Sequence, residues 1–326
     1  MQIRVVLATD HNYIMPLAVA VCSAAVNCAP RRDIVFSVIQ SGVDTASRTR
    51  VERSLAHVSS ERGRIEWIDA PTERLAGLKL AHRYTTSLTY ARLFIGELLP
   101  TSVGKAIYLD CDTVVNEDIA DLFDTDMQGK SLRAVRDYST TTVSATWGIR
   151  NYRELGIPSD APYFNAGVLV IDLERWRSRG TTDALLDYVK THESVIQMAD
   201  QEALNAVLYD DWAALDYRWN WQIPWRDYRL GRVPPPWIPD RRRQSIVHFT
   251  TSEKPWLPGC DYEEKKYFFE YLDRTEWAGW RLGWSTEAYG RASRVVREAR
   301  SAVGLLRRRL FAQSVSPIRE LRDPHG

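Results

Sequence analysis

The sequence Lys105-Ala-Ile-Tyr-Leu-Asp110-Cys-Asp112-Thr-Val-Val115 places two carboxylates one residue apart, where a short apolar run ends. In an extended backbone the side chains of residues i and i+2 point to the same side, so Asp110 and Asp112 can hold one divalent cation between them. A second Asp-x-Asp pair, Asp124 and Asp126, lies in a polar stretch, and we interpret it as a solvated turn. The first pair therefore predicts a buried strand that ends at a metal site.

Alternating strand and helix patterns surround this segment. Before it, strands are predicted over 3–8, 33–40 and 64–69, and helices over 15–27, 44–58 and 87–98. After it, strands are predicted over 132–136 and 168–171, a helix over 182–197, and an ordered irregular region over 210–245. The alternation predicts an α/β fold with a single mainly parallel sheet and helices on both faces. Such sheets bind ligands at the carboxyl ends of their strands, which is where Asp110 and Asp112 lie.

The charge distribution separates the chain into an acidic body and a basic end. The net charge of the 326 residues is +1, but residues 281–326 carry ten arginines against four acidic residues. From about residue 290 the arginines alternate with apolar residues, which predicts a basic amphipathic helix. We expect residues 277–322 to lie on an anionic membrane surface, with a helix packed on the domain as the alternative. No nucleic-acid motif accompanies the basic segment, so we expect no nucleic-acid partner.

The four cysteines form no Cys-x-x-Cys pair, and no apolar run approaches the length of a membrane-spanning helix. The amino terminus also lacks the apolar core of a signal peptide. We therefore expect reduced thiols in a cytoplasmic protein, peripheral on the inner face of the cytoplasmic membrane if the basic segment binds lipid.

Three classes of nucleotide-binding protein fit the sequence poorly. The first 41 residues contain no glycine, which excludes the Gly-rich loop of dinucleotide-binding enzymes and of sugar nucleotidyltransferases. Gly129-Lys130-Ser131 lacks the first glycine and the preceding strand of a phosphate-binding P-loop. A diphosphate bound here needs cations instead, and His248, which ends a second apolar run, is a candidate third ligand. Two carboxylates and an imidazole favour Mn²⁺, with Mg²⁺ as the weaker alternative.

Six motifs in series resemble those of glycosyltransferase family 8, especially its bacterial lipooligosaccharide and lipopolysaccharide α-galactosyltransferases and α-glucosyltransferases. The motifs are Leu7–Tyr13, Tyr90–Leu93, Tyr108–Asp112, Tyr163–Leu173, Asp200–Asn205 and His248–Trp256. The resemblance implies a GT-A catalytic domain over 1–260, followed by a helical basic tail over 261–326. Within the domain, residues 1–170 would bind the nucleotide sugar and residues 165–260 the acceptor.

The same resemblance implies an activity and assigns roles by matching position. It implies Mn²⁺-dependent transfer of galactose or glucose, with retention, from UDP-galactose or UDP-glucose to a saccharide or glycolipid acceptor. The residues expected at the donor are Ala8, Asp10, Asn12, Tyr13, Arg92, Asp110, Cys111, Asp112, Asn165, Ala166, Gly167 and Lys254. The expected metal ligands are Asp110, Asp112 and His248. The expected catalytic residues are Gln201, Asp200 and Asp137.

Two of these assignments carry conditions. The family commonly has a glycine three residues after the metal histidine, whereas this chain has Thr251, which can donate its N–H to phosphate only if its backbone avoids positive φ. Of the catalytic candidates, the resemblance points to Gln201 as nearest the reacting carbon. An amide is a poor nucleophile, so we expect same-side substitution rather than a covalent intermediate on Asp200 or Asp137.

Two questions stay open at the level of sequence. The aromatic stretch Tyr217–Trp225 is suited to binding an acceptor sugar, because rings pack on the apolar face of a pyranose, but the same residues could be core. A catalytically silent UDP-sugar or carbohydrate-binding protein would use every contact named above. Sequence does not distinguish such a protein from an enzyme.

Overall fold

The structure, a computed structural model, describes residues 2–59, 61–78, 87–223, 243–283 and 286. The chain divides into two compact units, of which the first comprises Met1–Ser252 and Tyr262–Trp280. The second comprises Glu253–Asp261 and the chain from Arg281 onward. All helices and strands given below belong to the first unit. The domain boundary expected at residue 260 stays a prediction.

Ten strands form two sheets in the described residues. The strands are β1 (Ile3–Asp10), β2 (Ile34–Ser41), β3 (Gly63–Asp69), β4 (Lys105–Leu109), β5 (Thr113–Val115), β6 (Leu132–Arg136), β7 (Phe164–Asp172), β8 (Trp212–Ala214), β9 (Trp221–Ile223) and β10 (Ile246–Phe249). The α-helices are α1 (Ile14–Val26), α2 (Thr45–Ser59), α3 (Thr72–Ala76), α4 (Ile95–Leu98), α5 (Ile119–Phe123), α6 (Leu173–Ser178), α7 (Thr181–Thr191), α8 (Ala199–Val207) and α9 (Lys265–Leu272). Three 3-10 helices cover His11–Tyr13, Ser87–Phe94 and Tyr217–Asn220.

The large sheet has the strand order β3-β2-β1-β4-β7-β6-β8. Its strands run parallel to one another except β7, which pairs antiparallel with both β4 and β6. The expected mainly parallel sheet is confirmed. The reversal of β7 sets Leu109 opposite Val168, so the end of β4 lies beside the beginning of β7. Asp110 and Gly167 meet there, where the Asp110 N–H donates to the Gly167 carbonyl at 2.8 Å.

The small sheet brings a third strand end to the same place. Its order is β5-β10-β9, with His248 of β10 opposite Thr113 of β5 and Gln222 of β9. Because Thr113 directly follows Asp112, this register carries the imidazole to the carboxylate pair. The Phe249 N–H donates to the Asp112 carbonyl at 3.0 Å and closes the ladder.

Helix α1 is apolar on nearly every side and lies in the core. Eleven of its thirteen residues are buried, which fits a helix covered by other elements all round. Pro16 sits in its first turn, where the missing N–H breaks no intrahelical hydrogen bond. Each fully buried Val or Leu side chain here stabilises the fold by about 1.5–3 kcal/mol.

Three expected elements differ from the structure. The segment 87–98 is a 3-10 helix followed by the single turn α4, and the helix expected over 182–197 ends at Thr191. Near the end of the expected helix, the backbone N–H groups of Gln197 and Met198 are bound by the Glu202 carboxylate and not by carbonyl groups of a helix. The region 210–245 was expected to be irregular, yet its first part holds β8, a 3-10 helix and β9. Residues 224–242 lie outside the described residues.

The last described part of the first unit packs on α1 and α2. The Asn27 amide donates to the Tyr271 hydroxyl at 2.5 Å, and the Glu276 N–H donates to the Ser54 hydroxyl at 2.9 Å. The Arg50 guanidinium stacks on the Trp277 ring at 3.9 Å from its centre. Trp277, the first residue of the segment expected to lie on a membrane surface, therefore has a protein partner.

The basic amphipathic helix expected from residue 290, which makes up most of the expected membrane segment 277–322, lies outside the described residues. Among the helices that the structure describes, none is long and apolar enough to span a bilayer.

Candidate functional site

Asp110, Asp112 and His248 form one cluster, as the sequence predicts. One ligand atom from each lies within 4.8 Å of the other two. The His248 Nε2 lies 3.2 Å from the Asp112 Oδ1 and 3.6 Å from the Asp110 Oδ2. Two carboxylates and an imidazole are the donor set that suits a first-row divalent cation such as Mn²⁺. The residues present therefore fit the expected metal.

Gly167 leaves the room that this cluster occupies. A Cβ at this position would lie 2.0 Å from the His248 Cε1 and 2.8 Å from the Asp110 Oδ2. Both distances are far below van der Waals contact, so no other residue type fits without moving a ligand. Gly167 acts by its lack of a side chain, and Ala166 acts through its backbone: its N–H donates to the Gln201 Oε1 at 3.0 Å.

Arg92 is buried and holds the Asp110 carboxylate in place. Its Nη2 donates to the Asp110 Oδ1 at 2.8 Å, and its Nη1 donates to the Ala166 carbonyl at 2.7 Å. The Tyr108 hydroxyl donates to the same Asp110 oxygen at 2.9 Å. Burial opposes the charge of Arg92, but Asp110 and Asp200 raise the pKa of the guanidinium. Arg92 is thus a permanent cation beside the metal cluster.

The 3-10 helix over 87–94 explains how Asp200 is held. In a 3-10 helix residues i and i+3 lie on one line, so Thr89 and Arg92 face the same way. The Thr89 hydroxyl lies 2.7 Å from one Asp200 oxygen and the Arg92 Nε 2.9 Å from the other. Burial raises the pKa of Asp200, and Arg92 partly offsets this effect. Both carboxylate oxygens are therefore engaged by protein groups.

A cavity of about 240 Å³ opens at the carboxyl end of β1. The expected donor residues among those that line it are Ala8, Asp10, Tyr13, Arg92, Asp110, Cys111 and Asp112. Asp10 caps the following 3-10 helix by accepting the Asn12 N–H at 2.9 Å, while the Asn12 side chain is exposed. Burial and the nearby Asp112 raise the pKa of Tyr13, so its hydroxyl stays neutral.

A second cavity of about 250 Å³ also borders the carboxylate pair. Its lining combines Asp110, Asp112 and His248 with Asp137, Asn165 and Gln201. The Gln201 amide donates to the Asp137 Oδ2 at 3.4 Å. The Asp137 Oδ1 accepts the N–H groups of Ser139 and Thr140 at 2.9 and 2.8 Å. Asp110 and Asp112 therefore form the wall that the two cavities share.

Thr251 and Lys254 follow the metal histidine. Thr251 lines the second cavity. Among the described non-glycine residues only Gln128 and Ala199 have positive φ, so Thr251 meets the condition for donating its backbone N–H. Lys254 belongs to the second unit of the chain, and its contact with a diphosphate stays a prediction.

Several residues of the site escaped the sequence analysis. Asn220 and Gln222 lie in the aromatic stretch 217–225, where nothing in the pattern distinguishes a site residue from a core residue. Both are fully buried: the Asn220 amide oxygen lies 3.0 Å from the His248 Nδ1, and Gln222 lines the second cavity. Trp219 and Trp221 are also buried, which favours their role as core rather than as an acceptor surface.

Comparison with known proteins agrees with this geometry. The family model of Glycosyl transferase family 8 matches residues 4–260. General stress protein A of Bacillus subtilis (strain 168) is 29% identical over 283 residues, which cover 84% of this chain and 94% of that protein. The lipopolysaccharide 1,2-glucosyltransferase of Escherichia coli (strain K12) is 23% identical over 285 residues, which cover 84% of this chain and 79% of that protein.

A solved structure gives the same result. The crystal structure of the galactosyltransferase LgtC in complex with donor and acceptor sugar analogs matches with a TM-score of 0.70 and 28% sequence identity. The match covers 84% of this chain and 96% of that chain. The fold is thus of the GT-A type, and the chain belongs to glycosyl transferase family 8.

Proposed function

We propose that this chain is a retaining hexosyltransferase that moves galactose or glucose from a UDP-sugar to a hydroxyl group of a saccharide or glycolipid. The observation that carries the proposal is the position of Asp110 and Asp112 in the wall shared by two cavities. A diphosphate held by a cation on these carboxylates leaves its nucleoside on one side and its sugar on the other. One bound donor thus accounts for both cavities.

The cavity at the end of β1 suits the nucleoside. Tyr13 offers an aromatic ring, and Asp10 a carboxylate that can accept hydrogen bonds from a base or ribose. Most residues that line the second cavity are of polar types, among them Asp137, Asn165 and Gln201, and their side chains suit the hydroxyl groups of a hexose.

Asp110, Asp112 and His248 would hold Mn²⁺, or Mg²⁺ in its place. The bound ion would stabilise the negative charge that develops on the diphosphate as it leaves, an effect of several kcal/mol. Arg92 keeps the Asp110 carboxylate oriented for this purpose. Lys254 is the proposed second cation at the diphosphate.

The contacts of the Asp200 and Asp137 carboxylates support same-side substitution. The carboxylate oxygens of Asp200 are bound by Thr89 and Arg92, and those of Asp137 by backbone and amide donors. Neither carboxylate is free to attack the anomeric carbon without breaking these contacts. The bond from that carbon to the diphosphate oxygen breaks as the bond to the acceptor oxygen forms. The leaving phosphate oxygen takes the acceptor proton, so no protein base is required.

The acceptor is proposed to belong to lipopolysaccharide or another cell-surface glycan. The Escherichia coli relative is a lipopolysaccharide 1,2-glucosyltransferase, and the matching LgtC structure holds an acceptor sugar analog. Attachment to an anionic membrane surface through residues 277–322 would bring the site to a lipid-linked acceptor. That attachment is part of the proposal.

The proposal is tested by proton NMR of the protein with UDP-galactose and UDP-glucose, with Mn²⁺ and then with a chelator. We expect metal-dependent loss of one donor and initial release of the α-sugar. Asp112→Asn should abolish this loss and weaken UDP binding, whereas Asp126→Asn, the matched change in the solvated Asp-x-Asp pair, should have no effect. UDP binding without loss of either donor would favour the binding-only protein, and initial β-sugar would contradict retention.

A further inference from the structure

We propose that Asn220 is a positioning residue that fixes the tautomer of His248 and joins the metal cluster to the sugar cavity. The inference rests on the proposed metal role of His248. It concerns a residue that no motif singles out. Asn220 lies between two tryptophans, in a stretch whose sequence is as typical of a protein core as of an acceptor-binding site. Asn220 is nevertheless a polar side chain with no exposed surface.

Four buried side chains form a continuous chain of hydrogen bonds. The His248 Nδ1 lies 3.0 Å from the Asn220 Oδ1, and the Asn220 Nδ2 donates to the Asn165 Oδ1 at 2.9 Å. The Asn165 Nδ2 then donates to the Asp137 Oδ2 at 3.0 Å. All four residues are at least nine-tenths buried, so water does not compete with these contacts.

The positions of the oxygen and the nitrogen in the Asn165 side-chain amide are unambiguous. The Asn165 Oδ1 also accepts the backbone N–H of Gly167 at 3.0 Å, and a backbone N–H can only donate. The other group of this amide faces the carboxylate of Asp137, which can only accept, so that group must be the NH₂. The orientation of the Asn165 amide is therefore fixed twice over.

The orientation of Asn165 determines that of its neighbours. Because the Asn165 Oδ1 accepts, the group of Asn220 that faces it must be the NH₂. The Asn220 oxygen then faces the His248 Nδ1, which must carry a proton. In the neutral imidazole, the lone pair is then on Nε2, which is the nitrogen that faces Asp110 and Asp112.

This tautomer is the one that a metal ligand needs. A lone pair on Nε2 and two carboxylates that face it would together bind a cation placed between them, which is the state this inference concerns. Outer partners of this kind orient a ligating histidine and raise its basicity, and their loss weakens metal binding by about 10–100-fold. Asn220 has a second effect, because the same side chain supports Asn165 and through it Asp137 in the sugar cavity.

Two substitutions separate these effects. Asn220→Ala removes both hydrogen bonds, and we expect it to weaken Mn²⁺ binding about 10–100-fold. Asn220→Asp keeps an acceptor for the His248 Nδ1 but cannot donate to Asn165. We expect the Mn²⁺ affinity of Asn220→Asp to lie within about threefold of that of the parent, because the outer partner of His248 is retained. We expect its turnover to be lost, because Asn165 must then give up its hydrogen bond with either Gly167 or Asp137. Asn27→Ala, which removes a partly buried amide at the residue that follows α1, is the matched control.

Mn²⁺ affinity is measured in the presence of UDP by the electron paramagnetic resonance signal of the free ion, and folding by thermal unfolding. A purely structural role for Asn220 would lower the unfolding temperature of Asn220→Ala without changing Mn²⁺ affinity, which would overturn the inference. Equal loss of affinity in both Asn220 variants would also overturn it. If the parent protein itself binds no Mn²⁺, the proposed metal site fails and this inference fails with it.

A second measurement does not depend on any variant at residue 220. The chain has six histidines, so the nitrogen signals of His248 can be assigned by loss in His248→Gln. In the Mg²⁺-bound protein, long-range proton–nitrogen correlation should show His248 protonated on Nδ1 alone. Protonation on Nε2 in that state would refute the inference even if Asn220→Ala did not fold.

Discussion

Gly167→Ala should disable the metal cluster while leaving the fold in place. The added Cβ would lie 2.0 Å from the His248 Cε1, whereas ordinary contact begins near 3.4 Å, so the imidazole must move by about 1.4 Å. Metal–ligand distances tolerate about 0.2 Å. Moving His248 also breaks its contact with Asn220, which costs about 1 kcal/mol, and overpacking of this kind costs about 1–3 kcal/mol in total.

The expected result is a loss of Mn²⁺ affinity at least as large as the 10–100-fold effect of removing an outer partner, because a direct ligand is displaced. Calorimetric titration with Mn²⁺ and UDP measures this, and chemical unfolding measures stability. Gly77→Ala is the control, since its nearest foreign atom would be 3.8 Å from the new Cβ and its φ is −79°. Near-normal Mn²⁺ affinity in folded Gly167→Ala would refute the steric argument and the placement of His248 at the metal.

Two further predictions concern stability. Ala199→Gly should raise the free energy of unfolding by up to about 1 kcal/mol in urea titrations, because Ala199 has a φ of 48° that glycine adopts without strain. A lower free energy of unfolding would contradict backbone strain at the first residue of α8. Burial opposes ionisation of Asp211, but hydrogen bonds from Arg175 and Ser131 prevail and lower its pKa. Its ionised form therefore stabilises the protein above the pKa of the unfolded state, and this contribution is lost as the pH falls through the lower folded pKa. Asp211→Asn should destabilise at neutral pH and flatten the loss of thermal stability in acid, and an unchanged acid slope would exclude Asp211 as a contributor.

The sequence was informative about the strands and about the metal cluster. The apolar run before Asp110, together with the spacing of the two carboxylates, suffices to predict a buried strand with a site at its end. The third member of the cluster followed from a similar pattern, an apolar run that ends at His248. These predictions succeed because the local pattern of apolar residues indicates which segments are buried strands, and because parallel sheets bind ligands at the carboxyl ends of their strands.

The direction of β7 and the contacts of the amide side chains could not be predicted. An apolar run such as 168–171 reads the same whether the strand is parallel or antiparallel to its neighbours, so nothing local placed Asn165 beside Asp110. The 3-10 geometry over 87–94 likewise depends on tertiary contacts to Asp200 that lie more than one hundred residues away in the chain. Asn220 was missed for the same reason, since a buried amide has no periodic signature.

The segment that connects β6 to β7 has its two ends close together. The Asp137 N–H donates to the Tyr163 carbonyl at 2.9 Å, so the two ends of the intervening segment are held together at a residue that lines the second cavity. Part of this segment is anchored, since Val143, Ile149 and Ile157 belong to the core and the Gln197 amide donates to the Thr146 and Gly148 carbonyls. Where the segment is not anchored, each doubling of loop length costs only about 0.6 kcal/mol. Tyr138 and Ser139, which begin this segment, line the second cavity. Natural variation at Tyr138 and Ser139 can therefore remodel one wall of that cavity while β6 and β7 keep their register, because the hydrogen bond between Asp137 and Tyr163 holds the two strand ends together.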